Sequence, residues 1–164
     1  MLANIKGLVD RLELSQAKAM MPLYEAISNA VDAIEEHQDG FSNHSIRIQL
    51  VASNDLAHQA EDGTLVVDGF DVIDDGVGFN DKNLASFQEA HTLSKVKVGG
   101  RGVGRFTFLK VFSSVHIRSV FTRDGKVLLR EFDFSIQDEL KGADTTSEVK
   151  EVCGTHTSLR GMDD

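Results

Sequence analysis

Read from the N-terminus, the apolar positions repeat first at helical spacing and later at strand spacing. Ile5, Leu8, Val9 and Leu12 predict a helix over 4–14, with Gly7 as its weak point. A stronger helix is predicted over 23–37, where Leu23, Ile27, Ala30, Val31 and Ile34 form one stripe. Pro22 fits its first turn, Ser15 offers an earlier cap, and Asp39-Gly40 ends it. Ile46, Ile48 and Leu50 then alternate with Arg47 and Gln49, the pattern of a half-buried strand over 45–51.

A polar loop is predicted over 53–63, then a strand over 64–74 in which Gly69 marks a bulge or turn. A short helix over 81–89, a mobile loop over 91–101 and a helix over 103–112 follow. Strands over 111–122 and 126–134 flank Asp124-Gly125, a hairpin signal. Residues 138–150 read as loop or frayed helix, and 155–159 as a last strand. Helices early and strands late predict an α+β sandwich, one sheet covered on one face.

At 164 residues, with 41% hydrophobic and 26% charged residues, the chain is the size and composition of one domain with its own core. No apolar run approaches the roughly 18 residues needed to cross a bilayer, so no membrane partner is expected. Met1 to Lys6 has no signal-peptide pattern, and the single Cys153 excludes an internal disulfide. A cytoplasmic location is the expectation, with Cys153 in the core rather than acting as a nucleophile.

The net charge of −9 argues against a general nucleic-acid surface. It is unevenly spread. From Ala90 to Arg123 there is no Asp or Glu, while Lys95, Lys97, Arg101, Arg105, Lys110, Arg118 and Arg123 all fall there. A glycine cluster lies in the same stretch, which suits a compact polyanion, although chance clustering on solvated strand edges gives the same count. The histidines (37, 44, 58, 91, 116 and 156) show no metal-ligand spacing.

Three short motifs carry the chemistry. In Glu25-Ala-Ile-Ser-Asn29-Ala-Val-Asp32-Ala33, the residues Glu25, Asn29 and Asp32 share one helix face, opposite the apolar stripe. Such a face is also what solvation alone selects. An Asn amide oxygen suits Mg²⁺, and a carboxylate one turn earlier can polarise a water. Asp74-Asp75-Gly76-Val77-Gly78 sits at a strand end, where a carboxylate can accept from an amino group and the glycines allow a tight turn; Asp74 and Asp75 compete for that role. Gly99, Gly100, Gly102 and Gly104 surround Arg101, Val103 and Arg105, and backbone N–H groups leading into a helix can cradle phosphate. No Gly-Lys-Ser/Thr follows, so this is not a Walker loop.

In this order and spacing the motifs resemble the N, G1 and G2 boxes of the GHKL ATPases, over about Leu23 to Leu159. The resemblance implies a Bergerat-type two-layer sandwich, its mixed, mostly antiparallel sheet covered on one face by helices. It implies ATP and Mg²⁺ as ligands, with Glu25 as general base, Asn29 as magnesium ligand, and Asp32 and Ala33 at the site. The D-x-G-x-G spacing selects Asp74 for the adenine amino group, beside Gly76 and Gly78. Gly99, Gly102 and Gly104 match the glycine box, and Lys95 resembles a lid lysine, with Lys97 as competitor. Gly154-Thr155 resembles the closing strand, whose threonine helps hold a water beside the aspartate.

The Glu-x-x-x-Asn-x-x-Asp-Ala string is similar to the heat-shock-chaperone, mismatch-repair and microrchidia side of the superfamily. That implies ATP hydrolysis to ADP and phosphate coupled to lid closure. A non-hydrolysing ATP sensor and a histidine-kinase-like catalytic domain are the alternatives. In hydrolysing branches a downstream domain or partner supplies a Lys or Arg to the phosphates, and ATP-dependent dimers are common. Residues 1–164 are therefore expected to be a single ATP-binding domain, the N-terminal part of a longer protein and slow in isolation.

Overall fold

A computed structural model describes residues 5–11, 19–53, 66–93, 104–136 and 139–162. The first helix is α1 (Ile5–Arg11) and the second α2 (Met21–Glu35), with Pro22 in its opening turn as its fixed φ favours. A 3-10 turn at Gly40–Asn43 leads to β1 (Ile46–Ala52). Next come β2 (Val67–Asp74), α3 (Asp81–Leu93) and α4 (Gly104–Val111), the last running straight into β3 (Phe112–Arg123). Asp124 and Gly125, at φ 51° and 75°, make the tight turn to β4 (Lys126–Ser135). β7 (Gly154–Met162) ends the order.

Residues 138–150, expected as loop or frayed helix, instead contain β5 (Glu139–Lys141) and β6 (Ser147–Glu148), both paired with β4. Strands of two or three residues have no period to read; the edge of a long neighbour recruits them. α3 likewise runs four residues beyond its expected end, into part of the predicted loop. Gly69 lies beside the register shift between β1 and β2, and a side chain there would collide with the Leu159 carbonyl.

The sheet order is β1-β2-β7-β3-β4-β5, with β6 on β4. Every described pairing is antiparallel, so the sheet is antiparallel rather than mixed. The pairing registers set its helix-side face out in rows. Leu50, Phe70, Leu159, Val115 and Phe134 form one row; Ile48, Val72, Thr157, Ile117 and Phe132 form the next. α2 packs Leu23, Ala26 and Ala30 against this face, α4 adds Phe106, Phe108 and Leu109, and α3 adds Leu84 and Phe87. The opposite face carries charged pairs such as Arg118–Glu131 and Arg160–Asp71, so it is the solvated side.

Strand β1 is less buried than its alternation predicts. Ile48 and Leu50 are 47% and 70% exposed, because β1 is the edge of the sheet and the helices leave it largely uncovered. Cys153, expected in the core, is half-exposed in the turn before β7, 3.4 Å from Thr122 Oγ1. Among the described residues no helix is long and apolar enough to cross a membrane.

Candidate functional site

The third row of the helix-side face is different in kind. After Ile46 it runs Asp74, Thr155, Ser119, Arg130 across four neighbouring strands, every one of them buried. A polar row at the rim of an apolar face must satisfy itself or face a ligand. Ser119 Oγ accepts the Phe79 N–H at 2.7 Å and lies 3.0 Å from Thr155 Oγ1 and 3.3 Å from the Gly154 carbonyl. Arg130, 3% exposed, donates to the Phe79 carbonyl and, at 2.7 Å, to Asp81 Oδ1, with its guanidinium 4.7 Å above the Phe121 ring.

Asp74 opens into a cavity of about 230 Å³, just below the roughly 300–1,000 Å³ usual for small-molecule sites. Burial pushes its carboxyl up to about 6; backbone N–H groups of Gly76 and Thr155 oppose that rise, and the Asp75 charge adds to it. The Gly76 N–H reaches Asp74 Oδ1 at 2.9 Å. Asp75, by contrast, turns away, accepting Ser45 N–H at 2.8 Å and facing His44 Nδ1 at 3.2 Å. Of the two competing aspartates the fold thus sends Asp74 into the cavity.

Helix α2 forms the wall opposite. Asn29, Asp32, Ala33 and Glu36 line the cavity from successive turns, with Phe79, Phe87 and Phe108 as apolar walls. The aspartate-glycine turn is pressed onto this helix: Val77 N–H donates to the Ala33 carbonyl at 3.1 Å, one of the last-turn carbonyls left without a helical partner. Gly76 is required there, since a Cβ would lie 2.7 Å from the Ala33 carbonyl carbon. Gly78, at φ 76°, has the Val120 carbonyl where a side chain would go. Its own carbonyl accepts from Asn83 Nδ2 at 3.0 Å, and Asn80 caps α3 through the Asn83 N–H.

The fold brings together Asn29, Asp32, Ala33, Asp74, Gly78 and Thr155 around one cavity, with Gly76 behind it. Glu25 stands one turn before Asn29 on α2 and is not among the lining residues. Lys95, Lys97, Gly99, Gly100, Arg101, Gly102 and Val103 lie outside the described residues; Gly104 opens α4 and Arg105 follows in its first turn. Sequence reasoning missed Ser119 and Arg130. The signal for Arg130 was present: in the alternation Leu128, Arg130, Phe132, Phe134 a cation occupies an inward position. It also missed that the chain reversal after α2 gathers His37, Asp39 and His44, which spacing alone had not suggested.

Searched against protein-family models and curated proteins, the sequence matches no family model and no curated protein significantly.

Proposed function

We propose that this domain is a Bergerat-type, GHKL-like module that binds Mg-ATP and, in the intact protein, hydrolyses it. The observation that carries the reading is the Asp74 carboxylate, buried at the base of a cavity whose opposite wall presents Asn29. An ionised Asp74 accepts the amino group of adenine, while Thr155 beside it can hold a bridging water. Phe79, Phe87 and Phe108 offer apolar surface to a planar base. The cavity has room for the base rather than the whole nucleotide, and among the described residues no Lys or Arg lines it. The phosphates then lie toward Asn29 and the start of α4, where Mg²⁺ would be held by the Asn29 amide oxygen and neutralise phosphate charge.

Calorimetry of the chain with Mg-ATP tests the reading: one-to-one binding is expected, lost or weakened at least about tenfold in Asp74→Asn, which can no longer discriminate for a donor. No binding by the unaltered chain, or equal binding by Asp74→Asn, removes it. The position of Glu25 outside the cavity lining favours a second reading, a sensor in which ATP orders the site without turnover. Phosphate release by the full-length protein separates the two. Hydrolysis predicts turnover that Glu25→Ala abolishes with binding intact; the sensor predicts none in either.

A further inference from the structure

The chain between α2 and β1 reverses through the 3-10 turn, and the reversal stacks His37 on His44 with ring centroids 4.1 Å apart and planes 16° apart. One ligand-type atom from each of His37, Asp39 and His44 lies within 4.8 Å of the others. The protons of this cluster are constrained. His44 Nδ1 faces the Asp75 backbone carbonyl at 3.1 Å and Asp75 Oδ1 at 3.2 Å, both pure acceptors, so Nδ1 carries a hydrogen. That leaves Nε2 facing Asp39 Oδ1 at 3.4 Å. The separation is well beyond the roughly 2.7–2.9 Å of a charge-assisted N–H···O bond. It matches the edge of a tetrahedron with arms of about 2.0–2.1 Å, which is about 3.4 Å. His37 Nε2, meanwhile, is buried with no hydrogen-bond partner, an orphan that costs free energy unless something ligates it.

We propose that His37, Asp39 and His44 form a binding site for a divalent transition-metal ion of the zinc class, with a fourth position open to water. Two imidazoles and one carboxylate are the donor set of such sites, whereas Mg²⁺ prefers oxygen alone. The Asp75 contact to the far ring nitrogen of His44 is the outer-sphere carboxylate that fixes tautomer and ring orientation in histidine–metal sites. The stacked rings do not aim their in-plane lone pairs at one point, so ligation turns one imidazole out of the stack and draws the three donors together, which clips the turn. Because Asp75 is the neighbour of Asp74, the clip also anchors the turn that carries the cavity carboxylate. The site is separate from Asn29 and does not rest on nucleotide binding.

The test is titration of the metal-free full chain with ZnCl₂ in the absence of nucleotide, with CoCl₂ absorption as a geometric readout. Expected are one equivalent of Zn²⁺ bound, tetrahedral Co²⁺ bands, no competition from excess Mg²⁺, and a rise in melting temperature with Zn²⁺. His37→Asn and Asp39→Asn should each weaken Zn²⁺ about 100-fold or more. Asp39 is exposed, so Asp39→Asn folds as the parent does and decides the matter if His37→Asn does not. A parent chain that binds no stoichiometric Zn²⁺, or an Asp39→Asn chain that binds it equally well with the same Co²⁺ spectrum, overturns the proposal.

Discussion

Asp74 and Asp75 are adjacent and chemically identical, yet burial raises the first to about 6. For Asp75 burial acts in the same direction but is outweighed by the Ser45 N–H and His44, which hold it below the usual carboxylate range. The difference has two consequences of opposite sign. A folded value above the unfolded 3.8 means that ionised Asp74 opposes folding above pH 6, and the penalty fades as pH falls from 6 toward 3.8. Asp74→Asn keeps an acceptor for the Gly76 N–H and removes the buried charge, so at pH 7.5 it should melt higher than the parent, by up to about 3 kcal/mol of stability. Nucleotide binding runs the other way: with Oδ1 held by the Gly76 N–H, the ionised carboxylate leaves its second oxygen free to accept from an amino donor, whereas protonation turns that oxygen into a donor. Affinity for an adenine nucleotide should fall about tenfold between pH 7.5 and pH 5, the unprotonated fraction of a group titrating near 6. Asp32 and Glu36 also line the cavity, so the comparison that isolates Asp74 is its Asn variant, whose residual binding should lack this step. A parent affinity that is flat across the range in calorimetry counts against the assignment. The residues by themselves left the two aspartates competing, and only the resemblance to the family's D-x-G-x-G box selected Asp74; what the sequence could not convey is the partner set of Asp75, which comes from residues about thirty positions away.

Between elements, the decisive contact is the seating of the aspartate-glycine turn on the last turns of α2. The Ala33 carbonyl takes the Val77 N–H, and Gly76 sits against Ala33 so closely that a Cβ would be 2.8 Å from the Ala33 methyl. Gly76 has no positive φ, so a substitution there tests approach rather than backbone conformation. Gly76→Ala should lose about 1–3 kcal/mol and push the turn off α2, taking Mg-ATP binding with it. Gly125→Ala is the control: its φ of 75° costs about 1 kcal/mol, but its Cβ meets open space in the β3–β4 turn, and binding should be unchanged. Equal binding by both variants in calorimetry would separate the turn from the site. The elements themselves were largely legible, because α2, β3, β4 and their turn are each specified by local period and local turn chemistry. Contacts between elements were not legible: the approach of Gly76 to Ala33 comes from the fold alone. β5 and β6 were not, since Glu139–Lys141 and Ser147–Glu148 become strands through the edge of β4 rather than through their own pattern.

At the scale of the whole molecule, the last strand in sequence lies in the middle of the sheet. β7 pairs with β2 on one side over Phe70–Asp74 and with β3 on the other over Phe112–Val120. Without it the sheet is two pieces, β1–β2 and β3–β4–β5, and each exposes a long unpaired edge and half of the apolar rows. The site is divided with the sheet, because Asp74 and Ser119 meet through Thr155, which β7 supplies. No local signal states this order: the alternation over 155–159 marks a strand, and its neighbours are chosen by closure of the core around Leu159, which is fully buried. Such long-range closure makes folding cooperative and late. A chain ending at Cys153 should therefore show no cooperative thermal transition by circular dichroism and no Mg-ATP binding, although it retains every described helix and all three signature motifs in full. The intact chain under the same conditions should melt in one transition. A truncated chain that melts cooperatively would mean that β2 and β3 can pair directly. The polar row would then be an accident of register, and Asp74 would no longer depend on the last strand for its place in the cavity.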